Sequence, residues 1–250
     1  MNNSTKKLLI TGGCSGIGKE LVNFFKDKNY QIAIFDKVAR SSENENNLTA
    51  KDIKLIYCDV SDDDSVAKAC NKLFKSSFHP DILINNAGII HNEPLVNFLK
   101  KDDRLHSRES WDNVISTNLS SVFFVTSRVV ELMLKERKRG VIISISSICS
   151  KGNKGQTAYS AAKAGVNALT KTWSKELGPL GIRFVSISPG FLDTPSTHKS
   201  LNEKQIDNLK KLIPLKKFGD PISIAQTSEL IIKNEYINGT TIEVDGGLVI

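Results

Sequence analysis

Tyr159 and Lys163 stand four residues apart in Thr157-Ala158-Tyr159-Ser160-Ala161-Ala162-Lys163-Ala164-Gly165, a segment that reads as helix. That spacing sets both side chains on one face, about 6 Å apart along the axis. A phenol ordinarily titrates near ~10. A neighbouring ammonium favours phenolate and would bring Tyr159 within range of proton transfer at neutral pH. Taken alone, such a pair is also what chance leaves on a helix surface. Two further residues weigh against chance. Ser146 ends the apolar run Val141–Ser146, thirteen residues before Tyr159, and a hydroxyl at the carboxyl end of a strand faces the crevice of an open sheet. Asn118 places an amide inside the helical stretch Trp111–Val125, a local conflict of the kind that tends to mark a functional position.

A second group of residues is built for a phosphate. Thr11-Gly12-Gly13-Cys14-Ser15-Gly16-Ile17-Gly18 joins an apolar strand to an amphipathic helix. Glycines let the backbone turn tightly beneath a pyrophosphate, and the helix start offers free N–H groups at a positive dipole end. Asp36 closes the next strand, eighteen residues after Gly18. A carboxylate there accepts from ribose hydroxyls and repels a 2′-phosphate, which predicts NAD over NADP. Lys37 beside it pulls the other way, and the bland alternative for Asp36 is a strand-end turn former. A bound nicotinamide ring would add positive charge near Tyr159.

These residues need a scaffold, and the pattern supplies one. Apolar strands at Lys7–Ile10, Gln31–Asp36, Ile53–Tyr57, Asp81–Ile84, Val141–Ser146, Ile182–Ile187 and Thr241–Val244 alternate with helical stretches. Nearly continuous apolar strands separated by helices imply a parallel sheet covered on both faces. Right-handed crossovers then make it doubly wound, a Rossmann-type α/β fold with a mostly parallel seven-stranded sheet. Two segments break the rhythm: the polar stretch 37–51, and the long charged loop 91–110, whose length suggests a role at the site. No repeat or linker interrupts residues 1–250, so one domain is expected.

Composition narrows the class. The chain has 250 residues, 40% of them hydrophobic, and Gly and Pro together number 23; collagen-like and low-complexity classes are excluded. No apolar run approaches the ~20 residues of a membrane helix, and no signal peptide is visible. Cys14, Cys58, Cys70 and Cys149 are widely spaced with no CxxC, so no metal site or disulfide framework is expected, and the cytoplasm is the expected compartment. The net charge is +7, and the span 194–218 alone carries six lysines (199, 204, 210, 211, 216, 217) against Glu203 and Asp207. Without interleaved aromatics or an RNA-binding motif, this charge does not predict a nucleic-acid partner.

With these residues in place the sequence resembles the short-chain dehydrogenase/reductase family over essentially its whole length. The likeness rests on the TGxxxGxG turn from Thr11 to Gly18, Asp59-Val60, Asn85-Asn86-Ala87-Gly88, Asn118, Ser146, Tyr159-x-x-x-Lys163, Pro189-Gly190 with Thr194, and Val244-Asp245-Gly246-Gly247. The resemblance implies a catalytic tetrad: Tyr159 as general acid/base, Ser146 bonding the substrate oxygen, Lys163 holding the nicotinamide ribose and lowering the phenol's pKa, and Asn118 holding a relay water. It implies cofactor contacts from Gly12, Ser15, Gly16, Ile17, Gly18, Asp36, Asp59, Val60, Asn86, Ala87, Gly88, Tyr159, Lys163, Pro189, Gly190, Leu192 and Thr194. The reaction implied is hydride transfer between NAD(H) and a secondary alcohol or ketone, without metal.

Loop lengths resemble those of type II 3-hydroxyacyl-CoA dehydrogenases, which makes a 3-hydroxyacyl-CoA the leading substrate. The Asn85-Asn86 pair is commoner in 3-oxoacyl-[acyl-carrier-protein] reductases, which remain the alternative beside dehydrogenases of small cyclic or sugar alcohols. Outside enzymes, a nucleotide-sensing or RNA-associated scaffold would tend to lose the tetrad. The segment 194–218 corresponds to the family's substrate lid, and its charge suits CoA or an acidic carrier. A homotetramer, or a homodimer, is implied, and the apolar end Gly247–Ile250 agrees with burial against another subunit.

Overall fold

The computed structural model describes residues 5–40, 53–194, 197–198 and 202–248. Seven parallel strands, β1 (Lys6–Thr11), β2 (Tyr30–Asp36), β3 (Ile53–Tyr57), β4 (Ile82–Asn85), β5 (Gly140–Ile145), β6 (Ile182–Pro189) and β7 (Thr240–Val244), form one sheet in the order 3-2-1-4-5-6-7. Each predicted strand is present; Ile53–Tyr57 is unchanged and the others differ at an end by one or two residues. Among the described residues the principal helices are α1 (Gly16–Lys26), α2 (Asp63–Lys75), α3 (Arg108–Ile115), α4 (Ser121–Lys135), α5 (Thr157–Leu177), α6 (Glu203–Leu212) and α7 (Ile222–Lys233).

Strand side chains alternate between two apolar layers, as the period of two requires. Leu8, Ile10, Ile32, Ile34, Ile143 and Ile187 pack with Leu21, Val22 and Phe25 of α1 and Ile224 and Ile231 of α7. Leu9, Ala33, Phe35, Leu83, Ile142 and Phe184 point the other way, onto Val66 and Leu73 of α2 and Val125, Val129 and Met133 of α4. Burial of a large aliphatic side chain contributes roughly 1.5–3 kcal/mol, so the two layers fix the register of every central strand.

Local chemistry starts and stops the helices. Asp62 caps α2 by accepting from the backbone N–H groups of Asp64 and Ser65; Asp63 and Asp64 occupy its first turn and Lys72 and Lys75 its last, matching the helix dipole. Asn202 and Gln205 form a reciprocal capping box on α6. Between α3 and α4, residues Ser116–Ser120 form a π turn, a widened helical turn often found at functional positions.

The loop 91–110 is more ordered than its composition suggests. Val96 and Leu105 form an antiparallel bridge, Glu93 pairs with Gln156, and α3 already begins at Arg108. The stretch 37–51 opens with a 3₁₀ turn at Lys37–Arg40; residues 41–52 lie outside the described residues, as do 195–196 and 199–201 of the expected lid, Lys199 among them, and 249–250 of the apolar end.

Candidate active site

In the strand order, β1 neighbours β4, so the chain's direction of winding reverses between them. The carboxyl ends of these two strands form the crevice where ligands of open α/β sheets lie. The Thr11 hydroxyl accepts from the backbone N–H of Asn86 at 3.0 Å and of Ala87 at 3.1 Å. The Asn86 amide in turn donates to the carbonyls of Thr11 and Gly12 at 3.1 and 2.9 Å. The glycine turn and the Asn85–Gly88 segment are therefore one rigid unit, and Asn86 ties it together.

Two glycines of the turn have no room for a side chain. Gly12 adopts φ +67°, and a Cβ on it would lie 2.9 Å from the Ala87 Cα. A Cβ at Gly18 would fall 1.9 Å from the Gly12 carbonyl oxygen. At Gly16, φ is +50° but no atom lies within 4 Å of the Cβ position, leaving open space above the helix start. Ser15 begins α1 in an extended conformation without a side-chain cap, and no acidic residue occupies the first turn. Unsatisfied N–H groups facing open space at a positive helix end fit a pyrophosphate.

Asp36, at the end of β2, is 9% exposed. Its oxygens accept from the backbone N–H of Cys14 and of Val38, both at 3.0 Å, which fixes the carboxylate beside the glycine turn. Burial and the Asp36 charge push the Cys14 thiol up to about 12, so it keeps its proton. Lys37 is drawn away to Asp59, 2.9 Å off. Burial tends to raise the Asp59 carboxyl, but hydrogen bonds from Ser61 and Lys37 hold it below its usual range. Val60 turns its side chain into the α2 core layer, so only its backbone is free to meet a ligand.

Across the crevice stand the four expected catalytic residues. Ser146 directly follows β5, its hydroxyl donating to the Lys163 carbonyl at 3.2 Å. Lys163 is buried, its ammonium donating to the Ile145 carbonyl at 2.7 Å and lying 5.8 Å from the Tyr159 ring centre. Burial lowers its pKa to about 8. Burial also pushes the Tyr159 phenol up to about 12, against a smaller lowering from a hydrogen bond with the Ser147 side chain. The expected depression of the phenol by Lys163 is therefore not found in the protein alone: burial sets the direction, and the opposing pull comes from Ser147.

Asn118 is the fourth of these residues. It is fully buried in the π turn, its Oδ1 accepting from the Ile89 N–H and its Nδ2 donating to the Ile89 carbonyl, both at 2.8 Å. The side chain clamps the loop after β4. A Cβ on Gly88 would meet Asn118 Oδ1 at 2.7 Å and Lys163 Nζ at 3.7 Å, which places Gly88 between the two.

On the β6 side, the Gly190 N–H donates to the Val244 carbonyl at 3.0 Å, and a Cβ at Gly190 would lie 2.7 Å from the Asp245 Cα. Leu192 pairs with Gly219, and the Thr194 hydroxyl bonds Thr197. Tyr159 shares an apolar cluster with Ile148, Ile206, Ile213 and Phe218, against which Phe191 and Leu209 also pack, so the described part of the lid contributes to the wall around the phenol. Sequence reading missed Ser147, whose signal was its place directly after Ser146. Asn85, read from the sequence only as part of its motif, is buried, and its amide donates to Thr126 at 2.9 Å and Ser144 at 3.4 Å, which locks α4 to the sheet.

A family model described as enoyl-(acyl carrier protein) reductase matches residues 12–249. The chain is 38% identical over 254 residues to the 3-oxoacyl-[acyl-carrier-protein] reductase FabG of Thermotoga maritima, covering 98% of each chain. It is 41% identical over 172 residues to the (3R)-3-hydroxyacyl-CoA dehydrogenase of Homo sapiens, which spans 68% of this chain and 62% of that protein. The solved structure of gox2181 shares the fold, with a TM-score of 0.87 at 24% identity, covering 98% of this chain and 95% of that one. The chain belongs to the short-chain dehydrogenase/reductase family and is an oxidoreductase acting on CH–OH groups.

Proposed function

We propose that the protein reduces the 3-oxo group of an acyl thioester carried on acyl carrier protein, using NAD(H). The observation that carries the substrate is the full-length likeness to 3-oxoacyl-[acyl-carrier-protein] reductase FabG, against a partial match to the CoA dehydrogenase. The substrate first expected from loop lengths, 3-hydroxyacyl-CoA, becomes the second reading.

Gly12, Ser15, Gly16, Ile17 and Gly18 hold the pyrophosphate on backbone N–H groups, and Asp36 accepts from the adenosine ribose. With Lys37 paired to Asp59, no described lysine beside Asp36 is left to attract a 2′-phosphate, which favours NAD over NADP. Asp59 and the Val60 backbone face the adenine end; Asn86, Ala87 and Gly88 line the middle, and Pro189, Gly190, Leu192 and Thr194 line the nicotinamide end. The bound nicotinamide supplies the hydride. Ser146 turns its hydroxyl to the substrate oxygen, and Tyr159 delivers its phenolic proton to that oxygen as the carbonyl becomes an alcohol. A phenol held near 12 by burial keeps its proton at neutral pH, the state a reduction needs. Lys163 orients the ribose beside it, and Asn118 holds the Gly88–Ile89 backbone against the cofactor edge.

The lid lysines suit an acidic carrier. α6 carries Lys204, Lys210 and Lys211, and Lys216 donates to the Lys211 carbonyl at the helix end. A half-exposed apolar face on α4 and α5, with Phe123 at 53% exposure, supports a homotetramer or homodimer. Among the described residues no helix is long and apolar enough to cross a membrane.

Oxidation of NADH and of NADPH with acetoacetyl-[acyl-carrier-protein], acetoacetyl-CoA, a ketosteroid and a cyclic ketone tests the proposal. The highest kcat/KM is expected for the carrier thioester with NADH. Turnover of the CoA thioester with none of the carrier thioester would return the dehydrogenase reading, and a preference for NADPH would overturn the role given to Asp36.

A further inference from the structure

At the base of the long loop, outside the residues assigned to the reaction, three side chains converge on one point. His91 and Glu93 follow β4, and His106 precedes α3. Glu93 Oε2 lies 3.0 Å from His91 Nε2 and 3.3 Å from His106 Nδ1, and the three potential ligand atoms all lie within 4.8 Å of one another. Tetrahedral zinc, with bonds of about 2.0–2.1 Å, sets its donor atoms about 3.3 Å apart. The two glutamate–histidine spacings are near that value, and the two imidazole nitrogens, within 4.8 Å of each other, have to draw together.

The donors are held in place from outside. The second Glu93 oxygen accepts from the Ser107 N–H at 3.2 Å. The His106 side chain is 7% exposed and stands edge-on to Trp111, ring centres 6.1 Å apart. The Val96–Leu105 bridge keeps the two arms of the loop together without help from the cluster. His91 and Glu93 are only partly buried, so the open coordination positions face water. His106 Nδ1 also lies 2.9 Å from the Ser107 carbonyl, so a cation on Nδ1 requires the tautomer with its proton on Nε2.

We propose that His91, Glu93 and His106 form a three-ligand site for a divalent cation of the zinc class. Two imidazoles and one carboxylate are donors suited to such an ion, and three protein ligands leave a position for water. The cation pins the 91–106 loop. Its effect reaches the cleft, because Asn92 accepts from the Gln156 side chain at 2.7 Å and Gln156 immediately precedes α5, three residues before Tyr159. The site does not depend on the identity of the substrate.

The test uses the full chain without a polyhistidine tag, stripped with a chelator. Calorimetric titration with Zn²⁺ is expected to give one site per chain. Co²⁺ in its place should give a nitrogen/oxygen-ligand spectrum without thiolate charge transfer. His91→Ala and Glu93→Gln, both at partly exposed positions, should keep the native circular dichroism and weaken Zn²⁺ binding at least about tenfold. Zn²⁺ should also slow tryptic cleavage after Lys100, Lys101 and Arg104 in the wild type but not in His91→Ala. Absence of stoichiometric binding, unchanged affinity in both variants, or a thiolate band assigning the ion to cysteine would each overturn the proposal.

Discussion

The Lys163 ammonium lies 5.8 Å from the centre of the Tyr159 ring and donates its hydrogen bond to the Ile145 carbonyl. The phenol and the amine are thus neighbours on one helix face whose ionisation is governed mainly by burial. The pKa of Lys163 falls from 10.5 to about 8, so the unfolded chain binds more protons than the native one between those two values. Stability due to this residue therefore rises with pH from about 8 to about 10.5 and is absent below. Replacing Lys163 with Met removes the buried charge and leaves the Ile145 carbonyl unpaired, an offset independent of pH. Urea midpoints from pH 7 to 10 should show the variant's relative stability greatest at pH 7 and shrinking above pH 8. A constant gap would contradict the lowered pKa.

Gly18 and Gly16 should respond differently to alanine. At Gly18 the added carbon would overlap the Gly12 carbonyl, and the backbone must move; a loss of at least about 2 kcal/mol is expected. At Gly16 there is space but a left-handed φ, for a cost of about 1 kcal/mol. Thermal unfolding together with fluorescence titration of NADH checks both, with binding lost in Gly18→Ala and retained, though weaker, in Gly16→Ala.

Asn118→Ala should leave the Ile89 N–H and carbonyl unpaired in a buried place, costing about 1–3 kcal/mol. Hydrogen exchange at the Ile89 amide should quicken in the variant while exchange in the β1 and β5 amides stays slow. If Ile89 remained protected, the clamp would be refuted.

Neutralising Lys210, Lys211, Lys216 and Lys217 together to Gln should raise KM for a carrier-protein thioester and flatten its dependence on salt, since exposed charges act on encounter and are screened. The kcat should change little. An unchanged KM at low salt would remove the lid from carrier recognition.

The sheet was legible because its strands are apolar on both sides and its helices are not: Leu8-Leu9-Ile10 and Ile32-Ala33-Ile34-Phe35 leave no exposed face to a two-layer fold. Positions of Tyr159, Lys163 and Ser146 followed from helical spacing and from a strand end. The direction of the phenol's pKa did not, since it depends on how deeply Ile148, Ile206 and Phe218 enclose the ring. The dual bond of Asn118 to Ile89 depends on a π turn that no propensity marks, and the side-chain direction of Val60 is set by the connection between β3 and α2, where no periodicity applies. The convergence of His91 and Glu93 with His106, at opposite ends of the loop, required the loop's own bridge.

The proton donor is the heart of the account, and Tyr159→Phe tests it most directly. The variant keeps the ring and its packing, so its unfolding midpoint and its affinity for NADH should stay near wild type, while kcat for ketone reduction falls by about 10²–10⁴-fold. A Tyr159→Phe enzyme that folds, binds NADH and still reduces its substrate at a rate within a few-fold of wild type would contradict it.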